Sequence, residues 1–250
     1  MLVVLDHTLS MASRPDGVAP ANTPAGHMKS KWYIAVTAIN TLVTHLDTTI
    51  RFGLELFPKN PNNGTCVTLS QQLGGMSATN VQCQAGEIDV APNITMGSTI
   101  NSFLDPETTQ LCVSTPIGAG LQTAQTELAQ IVDPARKQFV LLLTDGQDTC
   151  NATLPLATVQ ALATAGILTY VIGFGTTGGS DGIDTSQLNN LACAGHTALD
   201  FATACQADAQ GNYTAIHPAT GTEFLLASDA TSLDAALTQS AGQVCCGCLM

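Results

Sequence analysis

Short apolar runs that alternate with helix-like segments constrain the fold of this chain most strongly. Residues 2–5 (LVVL) and 139–143 (FVLLL) are continuously apolar, as expected of strands that are covered on both faces. Between them, residues 28–46 place Trp32, Ile39 and Leu42 on one face at helical spacing. Such alternation predicts an α/β fold with a doubly wound, mostly parallel central sheet flanked by helices.

Further segments extend this pattern to the end of the chain. Strands are predicted at 50–57, 167–172 and 222–227, and helices at 119–132, 156–165, 186–192 and 233–241, the last behind a Thr231/Ser232 cap. Two polar, Cys-containing stretches, about 58–113 and 194–221, are interpreted as insertions, with weak strand character near 87–90. We therefore predict one domain over 1–244 and a Cys-rich tail at 245–250.

The charge of the chain excludes several classes of partner. Nineteen acidic residues against seven basic ones give a net charge of -12 over 250 residues, and the bases are scattered. Nucleic acids and anionic lipids bind clustered Lys and Arg, which displace counterions. No apolar run approaches the roughly 20 residues of a membrane-spanning helix. The composition predicts neither nucleic-acid binding nor membrane insertion by this chain.

Nine cysteines indicate an oxidising compartment. Most lie in polar, loop-like stretches, where disulfides are a better explanation than buried thiols. The triplet Cys245, Cys246 and Cys248 could alternatively bind a soft metal, but no second Cys or His pair has zinc-finger spacing. We expect an extracellular, cell-surface or periplasmic location, with an export signal upstream of Met1.

Three separate segments carry hard oxygen ligands. Asp6 and Asp145 each follow an apolar strand, and the carboxyl ends of parallel strands share one edge of the sheet. Thr8 and Ser10 follow Asp6 at alternate positions of a presumed extended loop, and Thr115 precedes a predicted helix. Two carboxylates and three hydroxyls are the donors that Mg²⁺, or alternatively Mn²⁺ or Ca²⁺, prefers. The sequence predicts a metal site built from these five residues, with His7 at its rim.

In these segments the chain resembles the von Willebrand factor type A family, including its exported bacterial members. The metal ion-dependent adhesion site of that family has the pattern Asp-x-Ser-x-Ser, a Thr on a second loop, and Thr-Asp-Gly after a strand. Here the pattern is Asp6-His7-Thr8-Leu9-Ser10, then Thr115, then Thr144-Asp145-Gly146. The resemblance implies hydroxyl ligation by Ser10, Thr8 and Thr115, with Asp6 and Asp145 binding directly or through water. Thr8 and Leu9 depart from the usual Ser and Gly.

The resulting expectation is a non-enzymatic module that captures a partner's Asp or Glu side chain through a bound divalent cation. Two alternatives remain: an extracellular scaffold with an unoccupied site, and a metal-dependent phosphohydrolase. A phosphatase with Asp6 as nucleophile needs a second carboxylate two residues later, where Thr8 stands. Residues 173–178 match a dinucleotide-binding glycine pattern, but they lack its acidic partner about 20 residues on.

Overall fold

A six-stranded sheet forms the centre of the molecule in the computed structural model, which describes residues 1–79, 83–177, 183–216 and 221–247. Of 245–247 only the backbone is described. The strands of this sheet are β1 (Leu2–Asp6), β2 (Phe52–Phe57), β4 (Glu87–Asn93), β6 (Phe139–Thr144), β7 (Leu168–Phe174) and β10 (Leu225–Ala227). Two small antiparallel sheets pair β3 (Val67–Thr68) with β5 (Gln110–Leu111), and β8 (Cys205–Ala207) with β9 (Tyr213–Ala215).

Helices cover both faces of the central sheet. In chain order they are α1 (Pro24–His27), α2 (Lys31–Leu46), α3 (Leu69–Leu73), α4 (Gly97–Phe103), α5 (Ile117–Gln130), α6 (Leu154–Thr164), α7 (Thr185–Ala194), α8 (Phe201–Ala204) and α9 (Ala230–Gly247). A short 3₁₀ helix spans Leu9–Ala12. The last helix begins earlier than its predicted cap. Asp229 Oδ1 accepts the Ser232 amide at 2.8 Å, and the helix continues into the predicted tail.

The strand order β10-β7-β6-β1-β2-β4 confirms the predicted doubly wound sheet. All adjacent pairs are parallel except β2 and β4. Every residue of β1 is buried, and its side chains alternate between two cores. Val3 and Leu5 pack with α2 and α9, whereas Leu2 and Val4 pack with α5, α6 and α7. This two-sided burial explains why β1 and β6 are continuously apolar.

The antiparallel edge strand β4 lies within the stretch 58–113. It pairs with β2 through two register shifts, and Pro92 lies so close to Gly53 that an added Cβ there would be 2.7 Å from the proline ring. Part of the stretch interpreted as an insertion therefore belongs to the central sheet. The remainder carries β3, α3, α4 and β5.

A buried carboxyl group interrupts the apolar core beside β2. Glu55 is fully buried, and neither carboxyl oxygen has a hydrogen-bond partner among the described residues. Burial raises the pKa of Glu55 well above its ordinary value of 4.5, and the charges of Asp89 and Glu127 raise it further. Because the folded state resists ionisation of this group, the side chain opposes folding at neutral and alkaline pH.

We therefore expect Glu55→Gln to raise the melting temperature at pH 8. Above pH 4.5 the unfolded chain loses the Glu55 proton while the folded chain retains it, so the stability of the native protein falls as the pH rises. Glutamine removes this proton linkage and keeps the shape. Calorimetric melting at pH 8 and pH 4 checks the prediction, since the advantage should disappear at pH 4. A lower melting temperature at pH 8 would contradict it.

Candidate metal centre

The predicted carboxylates meet at one edge of the sheet. Asp6 ends β1 and Asp145 follows β6, and these strands are neighbours. The chain leaves β1 toward β2 on one side and later returns to β6 on the other, so the loops after β1 and β6 diverge. Ligands of doubly wound proteins bind in the crevice at such a point. Both aspartates are almost completely buried there, at 0% and 1% exposure.

The loop after β1 brings two hydroxyls together. The Thr8 amide donates to Asp6 Oδ1 at 2.9 Å, and Thr8 Oγ1 lies 2.8 Å from Ser10 Oγ. The prediction of an extended loop is wrong, because Ser10 belongs to the 3₁₀ helix Leu9–Ala12. The tighter helix nevertheless turns both hydroxyls toward each other. Leu9 is accommodated at the margin of the core, half-buried, and its amide donates to Cys112 O at 2.9 Å.

Hydrogen bonds join this loop to the end of β6. Ser10 Oγ donates to Asp145 Oδ1 at 2.8 Å, and Thr144 Oγ1 donates to Asp6 Oδ2 at 2.7 Å. Asp6, Thr8, Ser10 and Asp145 are hereafter called the oxygen cluster. Four of the five predicted ligands thus form one connected group of hard oxygen donors.

Thr115 reaches the same region on a separate loop. Its amide donates to Thr149 Oγ1 at 2.8 Å, and the Thr149 amide donates back to Thr115 O at 3.1 Å. Asp148 Oδ2 accepts the Gly118 amide at 2.8 Å and reinforces this connection. In the described ranges, Thr115 is held through its backbone and makes no hydrogen bond to the oxygen cluster. Its side chain is 8% exposed beside the segment that follows Asp145.

The electrostatics of the oxygen cluster favour a cation. The pKa of Asp6 is raised to about 7, chiefly by burial and also by the negative charge of Asp145, while hydrogen bonds from Thr144 and Thr8 act in the opposite direction. Two carboxylates that share a buried crevice repel each other unless positive charge lies between them. The cluster therefore has the charge and the donors that a divalent cation requires.

A lysine that sequence reasoning missed supplies part of that positive charge. Lys31 Nζ forms an ion pair with Asp145 Oδ2 at 2.6 Å, and the two side chains are 3% and 0% exposed. The bases are therefore not all scattered on the surface. A signal was present in the sequence, because Lys31 begins an apolar helix immediately before the buried Trp32.

His7 lies elsewhere than predicted. It is 2% exposed rather than at a rim, its Nε2–H donates to Pro58 O, and burial lowers the pKa of its imidazole. The side chain is therefore neutral and joins the segment after β1 to the segment after β2. Among the described residues, no group of three or more His, Cys, Asp and Glu could hold a metal. Any cation here depends on hydroxyl donors as well as on Asp6 and Asp145, which is the donor set that suits Mg²⁺.

Two disulfides of the first polar insertion lie next to the loops of the oxygen cluster. Cys66 is bonded to Cys112, whose amide and carbonyl pair with His7 O and Leu9 N at 3.0 and 2.9 Å. Cys83 is bonded to Cys150, five residues after Asp145. A third bridge joins Cys193 to Cys205. The predicted disulfides in the insertions are confirmed, while the side chains of 245–250 lie outside the described residues.

The comparisons with known proteins agree with this arrangement. The family model described as von Willebrand factor type A domain matches residues 92–211. Over this range, slightly under half of its length, the chain is similar to that family. The matched range includes Thr115 and Asp145, and the same sheet also contains β1 and β2, which precede the range, and β10, which follows it. No curated protein sequence matches the chain.

Solved structures that resemble this chain come from a mussel, a Plasmodium parasite and a bacterium. Proximal thread matrix protein 1 of the mussel byssus has a TM-score of 0.58 at 16% identity, and the match covers 98% of this chain and 45% of that one. The TRAP protein of Plasmodium vivax has a TM-score of 0.54 at 15% identity, with coverage of 94% and 70%. An aerotolerance-related membrane protein of Bacteroides fragilis has a TM-score of 0.50 at 15% identity, with coverage of 98% and 96%.

These identities establish the fold alone. The chain spans less than half of the mussel protein, so the likeness concerns a part of that molecule. Two of the related structures hold metal: the mussel protein has been solved with zinc in its MIDAS motif, and the Plasmodium protein is loaded with manganese. Within the described ranges of the present chain, no helix is both long and apolar enough to cross a membrane. Of the glycine pattern at 173–178, position 178 lies outside the described residues.

Proposed function

We propose that this domain binds a divalent cation, Mg²⁺ in the first instance, through Asp6, Thr8, Ser10, Thr115 and Asp145. The observation that carries the proposal is the oxygen cluster, in which Ser10 bonds Asp145 and Thr8 bonds Asp6 in one buried crevice. Hydroxyl and carboxylate oxygens are the ligands of hard cations. The metals held by the mussel and Plasmodium proteins support the choice of a divalent ion.

The bound cation would capture an Asp or Glu carboxylate of a protein partner. With three neutral hydroxyls among five ligands, the site neutralises little of the ion's charge, so the ion keeps an affinity for an outside carboxylate. The role is binding rather than catalysis, because Thr8 stands where a phosphatase of this type needs its acid/base carboxylate. Three disulfides support an extracellular or periplasmic setting.

A metal-dependent capture of carboxylates has a direct test. We expect a short peptide with a central Asp to bind the Mn²⁺-loaded protein, with strong paramagnetic relaxation of the Asp side-chain protons. The same peptide with Asn at that position is the matched control and should show no such relaxation, nor should either peptide in excess chelator. Equal relaxation of the Asp and Asn peptides would contradict carboxylate capture, and the Ser10→Ala variant should lose the relaxation of the Asp peptide.

An unoccupied scaffold remains as the second candidate, and one contact favours it. The ion pair between Lys31 and Asp145 already places a positive charge on the oxygen cluster without any metal. The melting temperature distinguishes the two candidates. Mg²⁺ in excess over chelator should raise the melting temperature of a metal-binding domain and leave that of a scaffold unchanged.

A further inference from the structure

Lys31 is unusual among the basic residues of this chain. All seven lysines and arginines lie in the described ranges, and six of them are half-buried or exposed, whereas Lys31 is buried at 3% exposure. Burial of an ammonium group is costly unless a partner of opposite charge compensates for it. Asp145 is that partner, and it belongs to the oxygen cluster.

The local fold directs this lysine into the crevice. Ser30 caps α2 by accepting the Tyr33 amide at 3.1 Å, which makes Lys31 the first helical residue. The Lys31 amide donates to Ser13 O at 2.8 Å and so anchors the backbone. A cation in the first turn opposes the helix dipole. The first turn of a helix is therefore an unfavourable position for a lysine. The ion pair of Lys31 with Asp145 compensates for that cost.

Asp145 is shared between two kinds of partner. Its Oδ1 accepts the Ser10 hydroxyl at 2.8 Å, and its Oδ2 receives the Lys31 ammonium at 2.6 Å. We propose that Lys31 is a built-in cation of this site, which neutralises Asp145 in the metal-free protein and competes with a divalent ion for it. The inference rests on the proposed cation site and adds how the affinity of that site is set.

The competition follows from simple electrostatics. A divalent ion on Asp145 would lie close to the ammonium on the other oxygen of the same carboxylate, and like charges at that separation repel strongly in a buried crevice. Either the ion binds weakly beside Lys31, or the lysine side chain moves away. Both cases give an easily exchanged ion, whose affinity rises when the charge of Lys31 is removed.

Substitution of Lys31 tests the inference. Lys31→Met keeps an unbranched apolar stem without the charge, and Lys31→Gln keeps a hydrogen-bond donor without the charge. Lys29→Met is the matched control, because Lys29 is exposed two residues away and its replacement alters the net charge equally. Titration calorimetry with Mn²⁺ and Mg²⁺ should give both Lys31 variants a dissociation constant at least tenfold lower than that of wild type. The dissociation constant of Lys29→Met should lie within twofold of the wild-type value.

The melting temperature provides a second readout. In chelator, Lys31→Met should melt below wild type because Asp145 loses its partner, and saturating Mn²⁺ should raise its melting temperature more than that of wild type. If the Lys31 variants bind Mn²⁺ with an affinity equal to or lower than that of wild type, the proposed competition is overturned and the proposed cation site stays intact. Absence of binding in wild type and in every Lys31 variant would overturn both. If Lys31→Met does not fold, Lys31→Gln replaces it in both measurements.

Discussion

Asp6→Asn is expected to abolish binding of Mg²⁺ and Mn²⁺ and, in chelator at pH 8, to raise the melting temperature above that of wild type. The first effect follows because Asp6 is one of only two carboxylates in the oxygen cluster. The second follows from burial, which raises the pKa of Asp6 from 3.8 to about 7 with a further contribution from Asp145. At pH 8 the metal-free fold carries an ionised carboxylate that the crevice disfavours.

The sign of the pH dependence is fixed by the direction of this shift. Between pH 3.8 and about 7 the folded protein retains a proton on Asp6 that the unfolded chain has lost, so stability decreases across that window. Above pH 7 the full penalty, on the order of a few kcal/mol, applies to wild type only. The advantage of Asp6→Asn should therefore be large at pH 8 and absent at pH 4.

Calorimetric melting at pH 4 and pH 8 in chelator, with metal titrations at pH 8, measures both effects. Asp234→Asn is the matched control, because Asp234 is exposed on α9 and its substitution removes the same charge. This control should leave metal affinity and the pH profile unchanged. An Asp6→Asn variant that binds Mn²⁺ as wild type does would refute the assignment of the ligands. A lower melting temperature at pH 8 in chelator would refute the electrostatic explanation.

Removal of the disulfide Cys66–Cys112 should reduce both stability and metal affinity. The bridge closes a loop of 46 residues, for which the chain-entropy relation gives about 4 kcal/mol. Its loss also frees Cys112, whose backbone pairs with His7 and Leu9 on either side of Thr8. Because ligand geometry depends on that loop, we expect the double substitution of both cysteines by Ala to weaken Mn²⁺ binding at least tenfold.

The bridge Cys193–Cys205 offers a matched control. It closes 12 residues, equivalent to about 3 kcal/mol, and joins α7 to the second insertion rather than contacting a loop of the oxygen cluster. Its removal should lower stability by a similar amount and leave metal affinity unchanged. Urea unfolding and titration calorimetry of the two double variants make the comparison. Equal losses of affinity in both would indicate a general effect of destabilisation.

The sequence predicted the central sheet well because its strands are buried on both faces. Runs such as 139–143 have no polar residue to obscure their pattern, and Asp6 and Asp145 follow the runs 2–5 and 139–143 within two residues. The edge strand β4 was only weakly indicated, since it is half-exposed, irregular and separated from β2 by 29 residues. Pairing of this kind is determined by tertiary contacts that no local pattern records.

The two carboxylates of the candidate site could be predicted from the sequence, whereas the backbone geometry and the charged neighbour around them could not. Asp6 and Asp145 follow strands, so their shared edge is a consequence of parallel pairing. The 3₁₀ geometry at Ser10 depends on packing, which periodicity does not reveal. Lys31 was missed because a base at the start of a helix is ordinarily solvated, and only the fold brings it 2.6 Å from Asp145.

The two outer strands of the sheet are poor templates for pairing with another molecule. At one side β10 has three residues, and at the other β4 carries Pro92 and two register shifts. Short or irregular edges give an incoming strand few aligned amides and carbonyls to pair with. Neighbouring molecules are thereby discouraged from joining sheet to sheet, which protects the folded protein against aggregation through its sheet edges.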